Sequence, residues 1–134
     1  MSDTTLSALK GVTTRLLAYT DLTDVVGTKI YSNVPQQTSF PYIYMEMESF
    51  DWSQQDDANL RHILKIHAYS RNSSPKEVMT IKQECYNALN RQEENISLDV
   101  GVMVILQYSG ISTTFKEVDG KTWHSVVEFE LIID

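Results

Sequence analysis

Apolar and polar residues alternate along several stretches of this chain, and in two places they switch to a helical period. Residues 42–48 place Ile43, Met45 and Met47 on one side and Tyr44, Glu46 and Glu48 on the other, the signature of a half-buried strand. A return strand over about 60–69 sets Leu60, His62, Leu64, Ile66 and Ala68 against Arg61, Ile63, Lys65, His67 and Tyr69. Between them, 49–59 loses the alternation, and it reads as a hairpin tip or long loop. The helical period comes first at 4–19, where Leu6, Leu9, Val12, Leu16 and Leu17 form an apolar stripe behind the capping cluster Ser2, Asp3 and Thr4, with Lys10, Thr14 and Arg15 opposite. It returns after Ser74-Pro75-Lys76-Glu77, which offers a capping Ser, a Pro at the first helical position and a Glu able to close a capping box. This second helix should run to about Arg91, burying Val78, Ile81, Cys85, Ala88 and Leu89 and turning Lys76, Lys82, Glu84 and Arg91 to water.

Shorter signals fill the remainder. Residues 21–26 predict a helical turn stopped by Gly27, and Ile30-Tyr31 opens an extended piece that Pro35 interrupts. In the last third, 96–100 alternates, 102–106 is a continuous apolar run, and 111–118 is a weaker extended piece before an Asp119-Gly120 turn. The closing segment alternates Trp123, Ser125, Val127, Phe129, Leu131 and Ile133 with His124, Val126, Glu128, Glu130 and Ile132. A strand of that length spans over about 30 Å, and it belongs inside a sheet or continues one into a neighbouring subunit. The order predicts an α+β fold, a mostly antiparallel β-sheet with a long hairpin and two main helices packed on one face, in a single domain over 1–134.

Charge narrows the function. Eleven Lys and Arg against 18 Asp and Glu give a net charge of -7, and the basic residues are scattered singly, which argues against phosphate-mediated nucleic acid binding. The N-terminal residues lack the basic and apolar regions of a signal peptide, and no apolar run reaches membrane-spanning length, so synthesis and residence in the cytosol are expected. The one cysteine, Cys85, excludes an internal disulfide and reads as a buried thiol.

Catalytic chemistry finds no foothold. His62 and His67 are separated by an odd number of positions and point to opposite faces of a strand, so they cannot bind one metal together, and His67 and His124 could meet only if their strands pair. The carboxylates Glu46, Glu48, Asp51, Asp56 and Asp57 sit on a polar strand face and a loop tip, which suits a solvated surface better than a hydrolytic pair. Nucleophile elbows, dinucleotide fingerprints and phosphate loops are missing from the sequence. The expectation is no enzyme, no catalytic residue, no metal and no cofactor.

One feature of the sequence does point to a partner. Phe50 and Trp52 stand inside the acidic segment, and a fully buried aromatic is favoured by about 1.5–3 kcal/mol over an exposed one. Either Trp52 folds back on its own sheet or a partner covers it. Aromatic anchors within an acidic rim suit an interface, so Phe50, Asp51, Trp52, Asp56 and Asp57 are the candidate partner-contact residues.

The order of motifs adds a family. A leading helix, Gly27, Ile30-Tyr31, Val34-Pro35, the strand opening Phe40-Pro41-Tyr42-Ile43-Tyr44, the Asp51-Trp52 turn and the extended Tyr69-Ser70-Arg71 before the central helix resemble the phage tail terminator, or tail completion, family. The resemblance implies a structural virion protein at the head–tail junction, present in host cytoplasm during assembly. It implies a homohexameric ring, formed either beforehand or only on assembly, that caps the tail tube, stops its polymerisation and presents the head-joining surface. Its partners would be copies of itself, the tail tube protein and a head-completion or connector protein, with no membrane. DNA would pass through a lumen that acidic residues keep from sticking. Two alternatives stay open: another neck component, such as an adaptor or head-completion protein, and a small α+β ligand-binding domain or enzyme.

Overall fold

The computed structural model describes residues 4–51 and 60–134, side chains of 50, 51 and 60 excepted. Three helices, α1 (Thr5–Ala18), α2 (Thr20–Val26) and α3 (Lys76–Leu89), accompany five strands, β1 (Ile30–Tyr31), β2 (Tyr42–Asp51), β3 (Leu60–Ser70), β4 (Met103–Lys116) and β5 (Trp123–Ile133). The sheet order is β1-β2-β3-β5-β4. Only the short β1–β2 pairing is parallel; the other three are antiparallel. The architecture is therefore α+β, as the alternation and helical periods predicted.

Each long strand divides its residues between two faces. On one, Ile43 and Met45 of β2, Leu64, Ile66 and Ala68 of β3, and Val127, Phe129, Leu131 and Ile133 of β5 are buried against the helices. There they meet Val12 and Leu16 of α1, Leu22 and Val26 of α2, and Val78, Ile81, Cys85, Ala88 and Leu89 of α3. The α3 stripe is the one its 3.6-residue period specified. The predicted capping box does not form. Pro75 occupies the cap position, Ser74 Oγ accepts from the Lys76 amide at 3.2 Å, and Glu77 turns instead to the Ser70 hydroxyl, which donates to it at 2.6 Å.

Helix α1 corrects the expected stripe. Leu6 and Leu17 are exposed, at 70% and 42%, whereas Ser7, Ala8, Gly11, Val12 and Leu16 face inward. The cause is a close approach. A Cβ on Gly11 would lie 2.7 Å from Leu98 Cδ2 and 3.1 Å from the Ser97 carbonyl oxygen, so the helix is seated by its small residues rather than by its largest ones.

The alternating segment 96–100 is not a strand; it crosses over α1 as irregular chain with Ile96 buried, and the Ser7 hydroxyl donates to the Val100 carbonyl at 3.1 Å. The pieces at 102–106 and 111–118 prove to be one strand, β4, broken in register between Tyr108 and Ser112 around Gly110 at φ 92°. Strand β2 carries its pairing past the expected limit at Glu48, with Ser49 opposite His62, Phe50 opposite Arg61 and Asp51 opposite Leu60. The long closing strand β5 lies inside the sheet, between β3 and β4.

Candidate functional site

Of the five residues singled out as partner contacts, Phe50 and Asp51 form the last rung of the β2–β3 ladder, and Trp52, Asp56 and Asp57 lie outside the described residues. The acids leading to that tip are set among cations. Glu46 is register partner to Lys65, and Lys65 to Glu128, while Arg61 pairs with Glu130 at 2.9 Å. The polar face of the hairpin therefore carries mixed charge rather than a bare acidic field.

The face of the sheet away from the helices holds a band of rings that runs across the strands. Phe40 lies 5.3 Å from Tyr42, Tyr42 stacks on Tyr69 at 5.1 Å, Tyr69 on His124 at 4.3 Å, and His124 meets Phe115 at 4.7 Å. The Arg71 guanidinium covers the outer side of Phe40 at 4.5 Å and reaches Asp119 at 3.5 Å. Burial in this band pushes the Tyr69 phenol up to about 12, with Tyr42, Glu117 and Glu46 adding to the rise. Tyr42 is also raised, chiefly by burial and against the pull of Arg71.

Two histidines sit within the band. The β3–β5 register sets His67 opposite Val126 and Tyr69 opposite His124, which makes His67 and His124 diagonal neighbours on one face. Their rings approach at 2.8 Å, His67 Nδ1 to His124 Nε2. The outer nitrogens meet carboxylates: Glu46 Oε1 is 2.5 Å from His67 Nε2, a close but poorly aligned contact, and Glu117 Oε1 is 2.6 Å from His124 Nδ1. Burial holds the His67 pKa below 6.5, opposed by Glu46 and reinforced by His124. The third histidine, His62, faces the helices as its parity required. It is fully buried, bridging Thr4 Oγ1 at 2.8 Å and Ser49 Oγ at 2.6 Å. Among the described residues no group of three or more His, Cys, Asp or Glu could hold a metal ion.

The sequence identified His67 and His124 as a pair conditional on strand pairing, and the structure meets that condition. It gave no sign of the carboxylate from Glu117, which reaches the pair only because β4 returns beside β5.

The β4 edge is the second exposed feature. Its first half is covered: the Arg91 amide donates to the Leu106 carbonyl at 2.8 Å, the Leu106 amide to Glu93 Oε2 at 2.8 Å, and the Tyr108 amide to Asn90 Oδ1 at 2.9 Å. Met103 and Leu106 are buried, yet many apolar side chains here are in water. Val100, Val102, Val104, Ile111, Phe115 and Val118, on β4 or its flanks, make up six of the nine large exposed apolar residues among those described. The continuous run at 102–106 suggested a buried strand; an edge position explains why it is only half buried.

Comparison with known proteins follows this geometry. The sequence profile described as tail completion protein gp17 matches residues 10–134. A chain of the virion of a native gene transfer agent particle superposes with a TM-score of 0.89 at 17% identity, over 99% of this chain and 98% of that one, which is a likeness of fold. No curated protein matches by sequence.

Proposed function

The chain belongs to the tail completion protein gp17 family, and from that premise we propose that it forms a ring that caps a phage tail tube, ends tube growth and offers the surface to which the head is joined. Membership makes it a structural virion protein of phage tail completion. The observation that carries the finer reading is the apolar β4 edge. A soluble monomer seldom leaves so many Val, Ile and Phe side chains exposed along one edge strand and its flanks, and a subunit built to associate does.

The ring is a homohexamer, with the tail tube protein on one side and a head-completion or connector protein on the other. DNA passes through the lumen without specific binding, in keeping with the net charge of -7. The tip between β2 and β3, with Phe50, Asp51, Trp52, Asp56 and Asp57, is assigned a partner contact, and the finished protein resides at the head–tail junction after assembly in host cytoplasm.

Light scattering of the purified protein, alone and with tail tube protein, tests this reading. A hexameric mass, or a mass that appears only with tube and stops its elongation, supports it. A protein that stays monomeric and leaves tube growth unchanged refutes it. Trp52→Ala should preserve the melting temperature and weaken assembly; unfolding instead would make Trp52 part of the core.

A further inference from the structure

Glu46, His67, His124 and Glu117 form one hydrogen-bonded and ionic line across the open face, from β2 through β3 and β5 to the turn after β4. Counting protons along it leads to a definite state. An ionised carboxylate only accepts, so Glu117 requires a proton on His124 Nδ1, and Glu46 requires one on His67 Nε2. Two neutral rings so arranged would then aim bare lone pairs at each other across 2.8 Å. Two fully protonated rings would aim two N–H groups at each other. One extra proton, and only one, converts the contact into a charge-assisted hydrogen bond.

We propose that His67 and His124 hold a single proton in common between Glu46 and Glu117, and that this proton is a pH-sensitive clasp fastening the β4–β5 turn to the middle of the sheet. The surroundings favour the singly charged state. His124 lies between the rings of Tyr69 at 4.3 Å and Phe115 at 4.7 Å, whose faces attract a cation. Lys65 beside His67 opposes a charge there, whereas His124 has the two aromatic faces, so His124 Nε2–H donates to His67 Nδ1. The remaining ionisable groups on this face, among the described residues, are Tyr42, Tyr44 and Glu48 of β2, Arg61, Lys65 and Tyr69 of β3, Glu128 and Glu130 of β5, and Arg71 with Asp119 at the adjoining turn. Among the described residues, the negative charges that contact the rings are Glu46 and Glu117.

The clasp holds the turn because Glu117 is part of it. Its amide donates to the Thr122 carbonyl at 2.7 Å, closing the β4–β5 connection. A second proton, on His67 Nδ1, places two cationic N–H groups face to face and drives His124, with Glu117 still held at its Nδ1, away from His67. The pair therefore takes up its two protons as a unit, in an upper and a lower step, and not as two independent rings.

Nitrogen-resolved NMR of the imidazoles across pH 4–9 tests this directly. At pH 7 one ring of the two should be an imidazolium and the other neutral with a hydrogen-bonded, unprotonated Nδ1. Glu117→Gln should lower the upper step by about a unit, a tenfold loss of proton affinity. Below the lower step the protection factor of the Glu117 amide should fall while those of the β2–β3 ladder hold. Two neutral rings at pH 7, or two independent curves near ~6.5, would overturn the shared proton. Unchanged protection at Glu117 would overturn the clasp. If Glu117→Gln does not fold, the wild-type titration and exchange still decide both points.

Discussion

Replacing Phe129 by Ala should be among the most damaging single changes to this fold. Phe129 is fully buried on β5, paired with Leu64 of β3 and Tyr108 of β4, and it meets the Tyr108 ring edge-on at 6.3 Å. Losing the buried ring costs about 2 kcal/mol of transfer free energy. A cavity term follows, because strands held in a ladder on both sides cannot collapse inward, which brings Phe→Ala changes to about 3–5 kcal/mol. The edge-on contact with Tyr108 falls within that total. At roughly 2.1 cal/mol/K per residue, unfolding 134 residues carries an entropy of about 0.28 kcal/mol/K, so a loss of about 4 kcal/mol lowers the melting temperature by about 14 °C. Urea unfolding followed by circular dichroism gives the free energy, with an unchanged slope to show that the same surface is exposed. Phe129→Leu, which refills most of the volume, should cost about 1.5 kcal/mol or less. A loss below about 1.5 kcal/mol for Ala, or equal losses for Ala and Leu, would refute the claim that the centre of the sheet is rigidly packed.

Three further outcomes follow from the same coordinates. His67 is harder to protonate folded than unfolded, so the unfolded chain binds more protons below ~6.5; stability should rise with pH up to that value, and His67→Gln should flatten the slope of melting temperature between pH 5 and 6. Asp119 accepts from the Lys121 and Thr122 amides and the Thr122 hydroxyl, holding its pKa to about 2; the stabilisation is present above ~3.8 and lost as pH falls towards 2, and Asp119→Ala should remove that acid dependence in a pH series of thermal melts. Gly101 takes φ 85°, and a Cβ there would lie 2.7 Å from Ile133 Cγ2, so Gly101→Ala should destabilise by more than Gly120→Ala, where φ is 70° but nothing lies within 4 Å; the backbone term alone is about 1–2 kcal/mol, and equal unfolding free energies would contradict the clash.

How far the sequence could be read depended on where each element sits. The stripe of α3 and the alternation of β2, β3 and β5 were legible because these elements present one clear face to the core, and period alone then fixes which residues are buried. Strand β4 was misread as two pieces because an edge strand with a register break obeys neither period, and its Val residues are not sorted by burial. In α1 the large residues drew the eye, yet Gly11 and Ala8 set the contact, since a close approach is made by what a side chain lacks. The open-face band was half legible: parity put His67 and Tyr69 on one side of β3, but only the β3–β5 register could bring His124 beside them. The partner-contact reading rested on residues at the tip of the hairpin, of which the structure places the backbone of Phe50 and Asp51.

The position of β5 also orders events in time. It is the strand through which β3 and β4 are joined, and it follows both of them in the chain. During synthesis the β2–β3 hairpin can zip locally, whereas β4 has no ladder to enter until β5 emerges. Until then the apolar run at 102–106 waits without its partner strand, a window in which an aggregating contact competes with the native one. A translational pause within or just before β5 would lengthen that exposure.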